Sequence, residues 1–137
     1  KSYIVHEFWS GKTLGIVSGS FDLKAIDPMG IQSYAIREAK DRPQLVSTNR
    51  HLSQGAAEIE MLVWDEKSLT LEGRSRVIAG DDYQILARVS DGYRAVEATV
   101  DRKPVQTSAD GGFLTVSIKR EETASTAWAI RFERTRR

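Results

Sequence analysis

Four polar side chains of the kinds that build binding or catalytic sites lie within one short segment. The stretch RPQLVSTNRHLSQG, residues 42–55, contains Asn49, Arg50, His51 and Gln54. A guanidinium forks to carboxylates or to backbone carbonyls, and an imidazole exchanges protons near neutral pH. The segment therefore allows three interpretations: it braces two halves of the chain against each other, it contacts a neighbouring domain, or it contacts a sugar. We favour the brace and treat these four residues as candidates for a domain interface.

The other residue types used in catalysis are scattered. His6 lies far from His51, and because it alternates with apolar residues we expect a surface or edge-strand histidine. The chain has no nucleophile-elbow, phosphate-loop or paired-histidine zinc motif. Cysteine is absent, which excludes disulfide and thiolate chemistry. Asp81 and Asp82 are adjacent, but two neighbouring acids are a weak indication of calcium binding. We predict no catalytic, cofactor-binding or metal-ligating residue in this chain, and no cofactor.

The glutamates do not indicate the pair of facing carboxyl groups that a glycosidase needs. They occupy the polar positions of alternating strands, where we expect solvated carboxylates: Glu58, Glu60, Glu72 and Glu97. Aromatic rings are the remaining signal for carbohydrate, since sugars stack on exposed rings. Trp9 and Tyr93 are the candidates for such stacking, and burial of Trp9 against a neighbouring domain is the alternative.

The elements that must position these residues are strands, because apolar and polar residues alternate almost throughout. Residues 1–41 predict an N-terminal sheet segment with four strands, at residues 2–9, 12–17, 20–26 and 31–38. The turn Asp27-Pro28-Met29-Gly30 separates the last two. Residues 42–55 predict a connector, since Pro43 ends the preceding strand and Gly55 frees the backbone before the next one.

Residues 56–137 contain six more alternating segments, at 57–64, 68–73, 82–89, 95–100, 113–119 and 126–133. Asp-Gly and similar turns separate them about every ten residues, which is typical of an immunoglobulin-like sandwich. We predict that their alternating apolar residues face one core, with Trp128 among them. The predicted fold is all-β, an antiparallel β-sandwich with an immunoglobulin-like second half and little or no helix. We expect residues 1–41, 42–55 and 56–137 to form one compact unit.

Composition narrows the classes of partner. A chain of 137 residues suits one domain or two very small ones, and its 40% apolar and 28% charged residues are ordinary for a globular protein. A net charge of +1 argues against a nucleic-acid partner. No apolar run reaches the roughly 18 residues of a membrane span, so we expect no membrane partner.

The beginning of the chain gives a further expectation. It starts at Lys1, not at methionine, and continues directly into the apolar run YIVHEFW. A protein rarely begins within a strand. We therefore expect the chain to be a piece of a longer polypeptide.

The order of segments resembles the C-terminal region of bacterial α-galactosidase-like glycoside hydrolases. The resemblance rests on the FW strand at residues 8–9, PQL at 43–45, RHLSQG at 50–55 and WD at 64–65, followed by LTLEGRSRVIAGDDYQILARVSDGY. Glu7 fills the acidic position that often precedes FW in that family. Ser90-Asp91 stands before Gly92-Tyr93, where the family often has proline.

The resemblance implies a non-catalytic role. In that family an all-β tail follows a (β/α)₈ barrel, and the barrel carries the catalytic carboxylates. The chain would then be a non-catalytic accessory domain whose partner is the catalytic barrel of the same polypeptide. The alternative is an independent carbohydrate-binding module for oligo- or polysaccharide. The resemblance implies a periplasmic or secreted parent in a bacterium, whereas the residues themselves leave the compartment unknown.

Overall fold

The structure, a computed structural model, describes residues 1–135. Within that range the chain forms twelve strands and no helix. The strands are β1 (Ser2–Glu7), β2 (Thr13–Ser18), β3 (Tyr34–Glu38), β4 (Gln44–Thr48), β5 (Ile59–Asp65), β6 (Thr70–Val77), β7 (Tyr83–Arg88), β8 (Tyr93–Val100), β9 (Lys103–Val105), β10 (Thr107–Asp110), β11 (Phe113–Ile118) and β12 (Ala124–Arg134). The predicted all-β, antiparallel fold is confirmed.

The described strands form three sheets. The N-terminal sheet has the order β2-β1-β3, the four-stranded sheet β10-β11-β7-β4, and the five-stranded sheet β5-β6-β12-β8-β9. The four- and five-stranded sheets form a sandwich because their inward apolar residues share one core. The N-terminal sheet lies against β4, where Arg37 Nε donates to the Val46 carbonyl at 2.5 Å.

The core follows the predicted alternation on three central strands. On β7, β11 and β12 every second residue is buried, and these residues meet in one cluster: Tyr83, Ile85, Ala87, Leu114, Val116, Ile118, Trp128, Ile130 and Phe132. Trp128 lies flat against Gly73, where an added Cβ would come within 2.1 Å of the indole ring. The prediction that Trp128 belongs to the core is therefore confirmed.

Two strands have a different phase from the prediction, and in each a β-bulge explains the difference. A bulge between Ile59 and Met61 shifts β5, so that Met61 and Val63 face solvent and Trp64 packs against the core. A bulge in the pairing of β12 with β8 leaves Val96 exposed, whereas Ala98 is buried and Val100 packs against the core as predicted. Because a bulge inserts one extra residue, it exchanges the buried and exposed faces beyond it.

The predicted strand at residues 20–26 is wrong, since no strand forms there. β1 already pairs with β2 on one side and with β3 on the other, so this segment has no central position to occupy. Leu23 and Ile26 remain exposed on the connection between β2 and β3.

The segment predicted as a connector contains a strand. β4 joins the edge of the four-stranded sheet by pairing with β7, and all five of its residues are buried. Pairing with a distant strand fixed this element, since residues 42–55 have no clear period of their own. β9 and β10 were likewise not predicted, and both lie at sheet edges.

Candidate functional site

Asn49 and Arg50 bond to β7 and to the loop that precedes it. The Asn49 side chain donates to the Asp82 carbonyl at 2.8 Å and accepts from the Gln84 backbone N–H at 2.7 Å. Arg50 Nη1 lies 2.7 Å from an Asp81 carboxylate oxygen. These bonds fix the chain after β4 to the sandwich.

Gln54 bonds in the other direction, toward the N-terminal sheet. Its side chain is almost fully buried, donates to the Ser33 carbonyl at 3.4 Å and accepts from the Ser47 hydroxyl at 2.7 Å. The Gln54 carbonyl also accepts from Arg37 Nη2 at 2.8 Å. The segment 49–54 therefore makes bonds to both halves of the chain, through different residues.

His51 stands apart from these bonds. It is exposed, and its Nδ1 accepts from the Ser53 backbone N–H at 3.1 Å and lies 3.0 Å from the Ser53 hydroxyl. The imidazole thus holds the local turn and does not join Asn49, Arg50 and Gln54 in one cluster.

A buried polar cluster, which the sequence did not predict, joins β4, β6 and β7 to the residue before β5. Thr48 Oγ1 donates to Glu58 Oε1, and Glu58 Oε2 is buried without a hydrogen-bond partner among the described residues. The Tyr83 hydroxyl donates to the Ser75 hydroxyl at 3.0 Å, and burial raises the pKa of Tyr83 to about 12. The expectation that Glu58 is solvated is wrong, because its side chain is buried and bonded to Thr48 of β4.

Glu7 is the most strongly perturbed carboxylate that the structure describes. It is buried at the end of β1 and accepts from the backbone N–H groups of Trp9 at 3.2 Å, Ser10 at 2.7 Å and Ser33 at 3.1 Å. Burial opposes its ionisation, but these hydrogen bonds prevail and lower its pKa to about 2. The carboxylate therefore holds the β1–β2 turn and the residue before β3 together.

His6 is buried in the central strand of the N-terminal sheet. Its Nδ1 lies 2.9 Å from the Thr13 hydroxyl. Burial lowers its pKa, although the neighbouring carboxylate of Glu7 acts in the opposite direction. The expectation of a surface or edge-strand histidine is wrong, because β1 lies between β2 and β3.

Trp9 and Tyr93, the candidates for sugar stacking, differ in how much of the aromatic ring is exposed. Trp9 is 58% exposed and contacts Phe8 edge-on, with the ring centroids 5.1 Å apart. Tyr93 is half-buried against Trp64, and the Arg134 guanidinium covers its ring at 5.5 Å from the centroid. Trp9 therefore presents a free aromatic surface, whereas the ring of Tyr93 is largely occupied.

The two adjacent acids are each paired with a cation. Asp81 is bonded to Arg50, and Asp82 lies 3.1 Å from Lys119 Nζ. Within residues 1–135 no three His, Asp or Glu side chains are grouped so as to hold a metal ion. In the same range no helix is long and apolar enough to cross a membrane.

Comparison with known proteins adds no relationship to these observations. Neither the protein-family models nor the curated proteins that were compared with the sequence gave a match.

Proposed function

We propose that this chain is a non-catalytic accessory β-sandwich domain of a larger, α-galactosidase-like glycoside hydrolase from a bacterium, in which it packs against the catalytic barrel. In this proposal the second half is an immunoglobulin-like sandwich, and the catalytic carboxylates lie on the barrel. The order of the sequence segments supports the proposal. The distribution of exposed apolar side chains is the structural observation that carries it.

Large apolar side chains are exposed mainly near the N-terminus. Thirteen are exposed in the described part of the chain, and eight of these form what we call the N-terminal apolar group: Trp9, Leu14, Ile16, Leu23, Ile26, Met29, Ile31 and Ile36. Single exposed apolar residues are ordinary. A concentration of them in about a quarter of the chain favours a region that another domain covers.

The N-terminal sheet is attached firmly enough to present this group to a partner. Arg37 donates to the carbonyls of Val46 and Gln54, and Gln54 donates to the carbonyl of Ser33. Hydrogen bonds from a guanidinium are stronger than neutral ones. The sheet and the sandwich are therefore held in one arrangement, which limits the entropy lost when the group packs against another surface.

The test uses the complete polypeptide that the gene encodes. We expect it to hydrolyse an aryl α-galactoside, and we expect its catalytic part to bind this chain when the two are produced separately. The pair Ile26→Glu and Met29→Glu is expected to weaken that association by about tenfold or more, measured by analytical ultracentrifugation.

A matched control places the same charges elsewhere. Met61→Glu and Val63→Glu alter the solvent face of β5, outside the N-terminal apolar group. The proposal is wrong if the gene encodes no glycosidase domain, or if both pairs of substitutions weaken the association equally.

A second candidate function is an independent carbohydrate-binding module. The exposed ring of Trp9 favours it, since an aromatic face is a common platform for a sugar. Titration with galactose, galacto-oligosaccharides and plant polysaccharides would then give a saturable change in tryptophan fluorescence, and Trp9→Ala would abolish it. A change that survives in the variant would exclude Trp9 as the platform.

A further inference from the structure

A groove lies where the N-terminal sheet meets the sandwich. β3, β4 and β5 border it, and its volume is about 370 Å³, within the ~300–1,000 Å³ typical of small-molecule sites. Ile36 and Leu62 form apolar walls, and both are exposed. The charged part of the lining is Arg37, Glu38, Lys40 and Arg42. Arg37 is already bonded to the carbonyls of Val46 and Gln54.

The charges of the groove are unbalanced. None of the ion pairs found in residues 1–135 involves Lys40 or Arg42. Glu38, the acid in the lining, already lies 2.9 Å from Lys1 Nζ. The groove therefore has two cations available to an anion.

The loop that carries these cations is held in place. The Gln44 side chain accepts from the Lys40 backbone N–H at 2.7 Å and donates to the Glu38 carbonyl at 3.0 Å. From the other side, Arg88 Nη1 donates to the Lys40 carbonyl at 2.8 Å, and the Ser90 hydroxyl does so at 3.3 Å. A loop fixed before binding loses little entropy when a ligand arrives.

Arg42 is held as well. Its guanidinium lies over the Trp64 ring, 5.4 Å from the centroid. Trp64 is itself packed edge-on against Tyr93, with the ring centroids 6.0 Å apart. Arg42 Nη1 donates to the Pro43 carbonyl at 3.4 Å. The remaining N–H groups at the rim of the stacked guanidinium can donate to a carboxylate in fork geometry.

We propose that this groove binds a sugar acid, with a hexuronate as the chemical class. Arg42 and Lys40 receive the carboxylate, Glu38 accepts from a ring hydroxyl, and the apolar face of the ring lies against Leu62 or Ile36. The site is distinct from Trp9 but shares Ile36 with the N-terminal apolar group. Binding by the chain alone does not depend on whether the chain belongs to a glycoside hydrolase.

The test follows the indole N–H signals of the three tryptophans by NMR while D-galacturonate is added to the chain. Trp64 borders the groove, Trp9 lies in the β1–β2 turn, and Trp128 is buried in the core. We expect saturation with a Kd of about 1 mM or below, and a shift of the Trp64 signal alone. Galactose, which lacks the carboxylate, and acetate, which lacks the ring, are expected to bind at least about tenfold more weakly.

Two variants and a control locate the binding. Arg42→Ala is expected to weaken D-galacturonate binding by about tenfold or more, and Arg42→Lys, which keeps the charge but loses the fork, by less. Arg74→Ala removes an exposed arginine on β6, in the five-stranded sheet that also contains β5. It is expected to leave D-galacturonate binding unchanged. Equal binding of galactose or acetate, a shift of Trp9 instead of Trp64, or equal effects of Arg42→Ala and Arg74→Ala would overturn the proposal.

Discussion

Replacing Glu7 by glutamine is expected to destabilise the N-terminal sheet. The carboxylate accepts three backbone N–H groups, from Trp9, Ser10 and Ser33. An amide carries no charge, and its NH₂ end cannot accept a hydrogen bond. The substitution therefore weakens the bonds that join the β1–β2 turn to the residue before β3.

The pKa of Glu7 sets the size of the effect. It falls from 4.5 to about 2 in the folded chain, and about 2.5 pH units at ~1.4 kcal/mol each give an upper limit of about 3.5 kcal/mol. Trp9 and Ser10, which donate two of the bonds, lie in an exposed turn where water screens part of the interaction. We therefore expect Glu7→Gln to lower the free energy of unfolding by ~2 kcal/mol at neutral pH.

The same pKa predicts how the effect depends on pH. Because the folded pKa lies below the unfolded value, the stabilisation is complete above pH 4.5 and is lost as the pH falls toward about 2. Urea unfolding of both proteins should show a difference in stability that narrows steadily over this window. Glu38→Gln, which removes an exposed partner of Lys1, is the control and should cost ~0.5 kcal/mol or less. Equal costs for the two substitutions, or a difference that does not narrow in acid, would refute the reasoning.

Three further predictions concern single positions. Gly73→Ala should destabilise the chain by ~3 kcal/mol in urea unfolding, since the added Cβ would lie 2.1 Å from the Trp128 ring. Gly80→Ala is the control, because no atom lies within 4 Å of a Cβ added there. A smaller loss of stability for Gly73→Ala than for Gly80→Ala would contradict the prediction. Met29→Gly should raise the melting temperature and stabilise by ~0.5–1 kcal/mol, because Met29 has a φ of 65°; a decrease would show that the turn is not strained. NMR titration should give a pKa below 6.5 for His6, because burial disfavours the charged imidazole. The contribution of neutral His6 to stability is then complete above pH 6.5 and falls in acid. A pKa above 6.5 would contradict its burial.

The sequence correctly predicts the strands in which apolar and polar residues alternate without a bulge. On β7, β11 and β12 the apolar residues at every second position are those that the core buries, as with Ile85, Val116 and Ile130. Alternation fails on β5 because the bulge after Ile59 inserts one residue, and a pattern read with a fixed period of two cannot anticipate it. The strand β4 was missed for a related reason, since its burial on both faces removes alternation.

Local sequence patterns do not predict the hydrogen-bond partners or the burial of the polar residues. The residue types of the 42–55 segment indicated bonding groups, but the partners of Asn49 and Gln54 are set by which loops the fold brings near them. Glu58 occupies a polar position of an alternating segment and is nonetheless buried. The groove at Arg42 depends on edge strands of three different sheets that only the fold brings together, so no short motif could have revealed it.

Amide hydrogen exchange is the most direct measurement of whether this chain is a domain that packs against a catalytic barrel. It should be recorded for this chain alone and for the complete polypeptide that the gene encodes. Packing predicts slower exchange at residues 19–33 in the complete polypeptide, since four members of the N-terminal apolar group lie there, and unchanged exchange around Asp101 on the far edge of the five-stranded sheet. Identical exchange at residues 19–33 in both proteins would contradict the packing.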